Sequence, residues 1–315
     1  MPYPSLSPEL AQQALDIYEQ HGSYTKGCKL LGLPKQTFLD RVRNARLMGL
    51  RPTVRKDTPR IHQRTRIGRM HLVIPDCQVK SDVPTEHMEW IGNYIVEKKP
   101  DVIICIGDFA DMPSLNSYHK PLEKEGQRYL KDIASVRSAQ EKLFKPLDDY
   151  NRTATEKYLP RKVLTKGNHE YRIQRAVNEI PWLQKKIDEA DLGFEDYGWE
   201  THDFLEVVTI DGIEYSHYFT SGVMGRPVTS AAAMLRERQK SCTQGHVQFT
   251  DMAIHRKTQN IGLFCGVCYL HNEDYLGPQG NDVRRQIIVK NEVDPTTGRY
   301  DPMFVSLKFL SMAYS

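Results

Sequence analysis

Two hydrophobic patterns divide the chain near residue 70. Before that point apolar residues recur every three or four positions, as in PELAQQALDIYEQ, whose Leu10, Ala11, Ala14, Leu15 and Tyr18 share one helical face. After it, short apolar runs such as MHLVI and DVIICI are separated by amphipathic stretches such as PTEHMEWIGNYIVEKK. This alternation is typical of parallel crossover units, so we predict an α/β (α+β) body preceded by a small helical domain.

The first 50 residues predict three short helices. Ser7 and Pro8 suit the start of the first helix, SYTKGCKLLGL fits a second, and Pro34 opens a third, PKQTFLDRVRNARLMG. Gly32 separates the second helix from the third. The third helix has an inward-facing set of apolar residues: Phe38, Leu39 and Val42. Three short helices with a glycine turn indicate a helix-turn-helix-like domain over residues 1–50.

The positive charge of the chain is concentrated in its N-terminal part. Residues 1–69 hold 13 Lys and Arg against 5 Asp and Glu, whereas the remainder is mildly acidic. We interpret residues 51–69 as a basic linker, and we expect nucleic acid, with DNA favoured, as the partner of this arm. The residue types that contact phosphates and base edges are Lys35, Gln36, Arg41, Arg43, Asn44, Arg55, Arg60, Arg64 and Arg66. The alternative is a helical packing or oligomerisation unit with a solvated basic face.

Polar residues follow the predicted strands of the body at their carboxyl ends, which is where open α/β sheets place their sites. The strands lie in MHLVIPDCQ, DVIICIGDFAD, RKVLTKGNHE, the hairpin FLEVVTIDGIEYSHYF and the segment before GHVQ. Two further strands are expected in RRQIIVK and MFVSLKFL. The strand ends supply Asp76, Gln78, Asp108, Asp111, Asn168, His169, His217, His246 and Gln248.

In this order the motifs resemble those of the calcineurin-like metallophosphoesterases, DxH, GDxxD, GNH(E/D), a single His and GHxH, over residues 70–250. The resemblance implies that residues 70–315 form a two-sheet β-sandwich flanked by helices, with two metal ions at the strand ends. It further implies that Asp108 bridges both ions. Asp76 would bind the first ion, and Asn168, His217 and His246 the second. His169 would lie over the substrate, with Asp111 orienting its ring.

Two histidines of the family pattern are glutamines here, Gln78 and Gln248, and both belong to the first metal. We expect a retuned site in which amide oxygens favour Mn²⁺, with Mg²⁺ next and Zn²⁺ or iron disfavoured. Decay of the first site, leaving one ion or an inactive protein, is the other interpretation.

The chemistry that such a site needs can be stated from the residues. Two cations about 4 Å apart require a shared carboxylate, and together they ionise a bridging water near neutral pH. That hydroxide attacks phosphorus, while a histidine gives a proton to the departing oxygen. Arg172 follows GNHEY and would either reach a substrate phosphate or form a surface salt bridge.

These features together favour a DNA phosphodiesterase, a nuclease that resembles the repair exonucleases of the superfamily. GDFADMP lacks the arginine of the GDxVDRG motif in serine/threonine protein phosphatases, which disfavours that substrate class. Two alternatives stay open, a phosphomonoesterase or nucleotide phosphatase, and a DNA-binding regulator with a weak or inactive core. DNA versus RNA, and homo-oligomerisation, are left open as well.

Compartment is inferred from what the sequence lacks. The segment MPYPSLSPEL has no basic-then-apolar signal pattern, and no apolar run approaches the ~18 residues of a membrane span. Six scattered cysteines, including those of CGVC in an apolar run, favour reduced thiols in buried strands over a disulfide framework or a zinc site. We expect a cytoplasmic protein, bacterial or in a host cell if encoded by a virus or mobile element, without a membrane partner.

Overall fold

The chain divides into two units, Met1–Thr65 and Arg66–Ser315. The structure is a computed structural model, and it describes residues 7–21, 24–53, 68–117, 126–273 and 276–315.

The first unit contains the three predicted helices, α1 (Pro8–His21), α2 (Tyr24–Leu30) and α3 (Lys35–Leu47). Ser7 Oγ accepts from Leu10 N at the start of α1, and Gly32, with φ +63°, ends α2. A shared apolar cluster holds the helices together: Ala11, Ala14, Leu15, Cys28, Phe38, Val42 and Ala45. Leu39, expected inside, is only half-buried.

The second unit carries all the described strands and, among the described residues, six α-helices. The strands are β1 (Arg69–Ile74), β2 (Val102–Cys105), β3 (Arg161–Thr165), β4 (Glu200–His202), β5 (Val208–Ile210), β6 (Ile213–Tyr215), β7 (Thr220–Ser221), β8 (Arg226–Pro227), β9 (Cys242–Gln244), β10 (Thr250–Ile254), β11 (Ile261–Cys265), β12 (Gln286–Val293) and β13 (Asp301–Ser306). The helices are α4 (His87–Lys98), α5 (Tyr129–Thr153), α6 (Tyr171–Glu179), α7 (Ala231–Arg238), α8 (Gly277–Gly280) and α9 (Leu307–Tyr314).

These strands form two main sheets. The first has the order β13-β12-β1-β2-β3-β4, in which β1 to β4 run parallel and β12 and β13 add antiparallel strands. The second has the order β10-β11-β9-β6-β5, and β9 is parallel to both of its neighbours. A short ribbon of β7 and β8 stands apart from both sheets.

Alternating side chains place the first sheet between two apolar layers. Leu72 and Ile74 of β1 belong to the core that faces α4 and α5, whereas Val73 belongs to the core shared with the second sheet. On the far side of the second sheet, Met234 of α7 packs with Phe264 of β11. The layers are therefore helix, sheet, sheet and helix, and the expected sandwich flanked by helices is confirmed.

The C-terminal segment differs from the expectation. MFVSLKFL was expected to be one strand, but β13 ends at Ser306 and α9 begins at Leu307. Ser306 Oγ accepts from Phe309 N and caps the helix, while Leu307 and Leu310 are buried at helical spacing.

The six cysteines are all buried and free, and Cys265 ends the fully buried strand β11. No helix in the described part of the chain combines the length and apolar character that a membrane span requires.

Candidate metal centre

The predicted ligands lie in loops that leave both sheets at one edge. Asp76, Asp108 and Asn168 follow β1, β2 and β3 within three residues, and these parallel strands end side by side. His217 and His246 follow β6 and β9 of the second sheet by two residues each. The two groups meet between the sheets.

The ligands assigned to the second ion form the tighter group. One ligand atom each from Asp108, His217 and His246 lies within 4.8 Å of the other two. Asn168 Oδ1 lies 3.0 Å from His217 Nε2 and 2.8 Å from His246 Nδ1. His217 Nδ1 donates to the carbonyl oxygen of Ile106 at 2.9 Å, so the ring, when it is neutral, has its lone pair on Nε2. This donor set fits a divalent cation.

The residues assigned to the first ion, Asp76, Gln78 and Gln248, each contact a different partner. Both Asp76 oxygens face the backbone N–H of His246, at 2.9 and 3.3 Å. Gln78 Nε2 donates to Asp108 Oδ2 at 3.2 Å, while its buried Oε1 has no partner among the described residues. A buried, unpaired carbonyl oxygen beside a carboxylate suits a cation. Gln248 Oε1 accepts from the hydroxyl of Tyr269 at 3.2 Å.

The backbone of these loops is held in an unusual conformation. Gln78, Asp108, His246 and Gln248 have φ values between +47° and +66°, in the left-handed region that side-chain-bearing residues rarely adopt. Each such residue costs about 1–3 kcal/mol and persists where the surrounding structure determines it, most often at functional sites. Four of the predicted ligands therefore lie on backbone in this conformation.

Two glycines are required by close approach to the carboxylates. A Cβ at Gly167 would lie 2.1 Å from Asp108 Oδ1, and one at Gly245 would lie 2.2 Å from Asp76 Oδ1. Any side chain at either position would displace a predicted ligand.

The electrostatics of the cluster combine buried negative charge with imidazoles. Burial and, to a smaller extent, the charge of Asp108 raise the pKa of Asp76 to about 7, against the opposing effect of His217. Burial also opposes ionisation of Asp108, but His169 and His217 hold its pKa well below the ordinary value. Burial lowers the pKa of His246 to about 4, so this ring is neutral at pH 7 with a lone pair free for a cation.

His169 and Asp111 lie at the side of this cluster. His169 Nδ1 is 2.9 Å from Asp111 Oδ1, and its Nε2 is 3.8 Å from Asp108 Oδ2. Arg172 is only 8% exposed, donates to the carbonyl oxygen of Asp111 at 2.7 Å and places Nη2 3.0 Å from His169 Nε2. Arg172 therefore lies within the site.

Sequence reasoning gave no role to three residues that support the site. Glu170 is fully buried and accepts from the backbone N–H groups of Asp108 (3.0 Å) and Gly167 (2.7 Å), which fixes two ligand loops to each other. Lys80 Nζ contacts Asp111 Oδ2 at 3.0 Å and Glu273 at 2.9 Å. Glu170 is the final residue of the GNHE motif, so the sequence contained a signal for it. No motif near Glu273 identifies that residue.

The nucleic-acid candidates that the structure describes lie on α3. Lys35, Gln36 and Arg43 are exposed, and Arg41 and Asn44 are half-buried. Gln36 Nε2 donates to Asp40 at 3.1 Å, so its amide already has a partner. The remaining candidates lie outside the described residues: Arg55, Arg60, Arg64 and Arg66.

Residues 72–276 match the family model described as calcineurin-like phosphoesterase, which spans more than half of the chain and includes every predicted ligand. The chain belongs to the calcineurin-like phosphoesterase family. Two solved structures of Vps29 from Entamoeba histolytica are similar to it at low identity. The wild-type protein complexed with zinc is 11% identical, with a TM-score of 0.35, and covers 76% of this chain and 99% of its own. A double mutant is 12% identical, with a TM-score of 0.33, and covers 75% and 98%. No curated protein matches the sequence.

As a calcineurin-like phosphoesterase, the protein is a metal-dependent phosphoester hydrolase, and its donor set agrees with that chemistry. The buried carboxylate of Asp108 beside the imidazoles of His217 and His246 suits a divalent cation.

Proposed function

We propose that this phosphoesterase is a two-metal phosphodiesterase that cleaves nucleic acid, with DNA as the favoured substrate. The observation that carries the proposal is the convergence of Asp108, His217 and His246 within 4.8 Å, with His169 beside them. The choice of a nucleic acid rests on the basic N-terminal arm.

Each ligand has an assigned position in this proposal. Asp108 lies between the two groups and would contact both ions. Asp76, Gln78 and Gln248 would hold the first ion, and Asn168, His217 and His246 the second. When bound, the ions ionise a water near neutral pH and neutralise charge on the phosphate.

His169 is the residue that would donate a proton to the departing oxygen. Its Nδ1 faces Asp111, which fixes the ring and leaves Nε2 directed toward the cluster. A protonated ring carries a hydrogen on each nitrogen, so Nε2 could then no longer accept from Arg172. The guanidinium would turn away, and a bound phosphate offers it a bidentate partner. Arg172 would thus donate to the neutral ring of His169 in the free protein and to the phosphate when substrate is bound.

Manganese is the preferred ion in this proposal. The amide oxygens of Gln78 and Gln248 are harder and weaker ligands than imidazole, which favours Mn²⁺ or Mg²⁺ over Zn²⁺ at the first position. Metal-stripped protein should therefore regain activity with Mn²⁺ better than with Zn²⁺, and recovery with zinc alone would contradict the assignment.

A single comparison tests the proposed function. Purified protein with Mn²⁺ is incubated with labelled single-stranded DNA, labelled duplex DNA or p-nitrophenyl phosphate. The variant is His169→Ala, and the matched control is His255→Ala, an exposed histidine that follows β10. Cleavage of DNA that is lost in His169→Ala and kept in His255→Ala supports the proposal.

The other outcomes identify the alternatives. Turnover of p-nitrophenyl phosphate without DNA cleavage indicates a phosphomonoesterase. DNA retained in a gel without turnover of either substrate indicates a DNA-binding regulator.

A further inference from the structure

Three aromatic rings extend from the metal centre toward the surface, and we call Tyr171, Phe204 and Tyr218 the aromatic shelf. The Tyr218 ring lies 4.6 Å from the ring of His246, between centroids. Phe204 meets Tyr218 edge-on at 5.5 Å, and Tyr171 stacks on Phe204 at 5.3 Å with an interplanar angle of 25°. The rings are continuous with the ligands of the second ion.

The outer ring of the shelf is open to solvent. Tyr171 is 38% exposed and is the first residue of α6, directly after GNHE. The buried apolar residues of this helix, Ile173 and Ala176, pack inward and do not require it. Phe204 and Tyr218 are half-buried behind it. The shelf therefore presents an aromatic surface beside the position where a phosphate would be cleaved.

We infer that the aromatic shelf binds an unstacked base of the strand whose phosphate lies at the metal centre. This inference rests on the proposed function and adds a substrate preference to it. A base and an aromatic side chain stack with about 1–3 kcal/mol, whatever the base, because every base has a π-face. Bases in an intact duplex are already stacked on their neighbours, so the shelf selects single strands, frayed ends or flipped nucleotides.

The position of the shelf agrees with how a strand meets a phosphate site. His169, Arg172 and Lys80 surround Asp111 at one side of the cluster, whereas Tyr218 lies against His246, a ligand of the second ion. A nucleotide with its phosphate at the ions would thus have cationic groups near the phosphate and rings for the attached base.

A fluorescent base tests the contact without turnover. A single strand containing 2-aminopurine, whose emission is quenched by stacking, is titrated with full-length protein carrying His169→Ala. Tyr171→Leu and Phe204→Leu are added to this background, and Trp182→Leu, a 75% exposed ring outside the shelf, is the control. Strand binding is followed separately by anisotropy, and bound metal is measured for each protein.

The inference predicts quenching in the parent and in Trp182→Leu, and its loss in Tyr171→Leu. The loss should accompany about 5–150-fold weaker binding, which corresponds to one stacked base. Unchanged metal content in Tyr171→Leu is expected. Quenching that survives Tyr171→Leu, or a parent protein that binds the strand without quenching it, overturns the inference. So does a parent that binds no strand.

Hydrolysis distinguishes failure of the shelf from failure of the proposed function. In active protein, a strand with an abasic residue at the cleaved position should be cut about tenfold more slowly than the normal strand, and Phe204→Leu should remove this difference. If wild type cuts the two strands at equal rates, the inference that the shelf binds a base is overturned, but the proposed nuclease activity stands. If 2-aminopurine is quenched at the shelf but wild type cleaves no DNA, the proposed nuclease activity is overturned and base binding at the shelf stands.

Discussion

His169 Nδ1 lies 2.9 Å from Asp111 Oδ1, and both residues are buried. Asp111→Asn keeps the size of the side chain and removes its charge. We expect kcat to fall about 10–100-fold, because the ring of His169 loses its orienting carboxylate. KM and metal content should stay close to wild type, since Asp111 is not among the proposed ligands. Steady-state kinetics and metal analysis check this, with Asp149→Asn on the surface of α5 as control. A fall in metal content equal to the fall in kcat would show that Asp111 holds the ions instead.

The two glutamines determine the choice of metal in our proposal. The double variant Gln78→His and Gln248→His restores the imidazoles of the family pattern, and we expect it to reverse the metal preference toward Zn²⁺. The measurement is the ratio of activity restored by Mn²⁺ to that restored by Zn²⁺ in metal-stripped protein. Gln259→His, at an exposed position, is the control and should leave the ratio unchanged. An unchanged ratio in the double variant would mean that the glutamines do not contact the ions.

The basic arm should make DNA binding depend steeply on salt. Affinity should fall strongly between about 50 and 200 mM salt, and deletion of residues 1–69 should flatten the slope. Within the full chain, Lys35→Gln with Arg43→Gln should reduce the slope of log K against log salt by about 0.7–0.9 for each lost phosphate contact. The control removes two exposed charges from α5, Lys145→Gln with Arg152→Gln. If wild type, the deletion, the α3 double variant and the control all gave the same salt slope, the arm would not take part in DNA binding.

A lysine between the sheets should make stability depend on pH. Lys290 is fully buried on β12, with Nζ 4.3 Å from the centroid of the Tyr215 ring and bonded to Thr243 Oγ1. Burial lowers its pKa to about 7, whereas the unfolded value is near 10.4. Above pH 7 the unfolded chain therefore binds a proton that the folded chain does not, so this lysine adds stability as pH rises toward 10.

Lys290→Met removes that contribution. The free energy of unfolding of wild type minus that of the variant should increase by about 2 kcal/mol between pH 7 and pH 9. Urea unfolding at the two pH values measures this difference. Lys308→Met, at an exposed position on α9, is the control and should show the same pH dependence of stability as wild type. A constant difference between wild type and Lys290→Met would mean that the buried amine stays charged throughout.

The convergence of the candidate ligands could be predicted because local signals and one topological rule suffice for it. Asp76, Asp108 and Asn168 each end a short apolar run, and neighbouring parallel strands end at the same edge. The helices of the first unit followed from the spacing of residues such as Ala14 and Phe38.

What the sequence did not predict depends on long-range contacts or on ambiguous patterns. MFVSLKFL fits a strand and a helix equally well, and the cap at Ser306 decides between them. Lys80 and Glu273 are 193 residues apart in sequence, so their ion pair at Asp111 has no local signal. The stacking of Tyr171 on Phe204 likewise depends on where α6 and the loop after β4 meet.

The predicted ligands come from both sheets, and this has a consequence beyond catalysis. An ion held by ligands from both sheets would connect the two halves of the sandwich, and its binding free energy would add to the stability of the native state. At a free ion concentration of 100 times the dissociation constant, this amounts to about 2.7 kcal/mol. Chelation should thus lower the melting temperature as well as stop hydrolysis. How long the molecule survives in a cell would then depend on that cell's supply of metal.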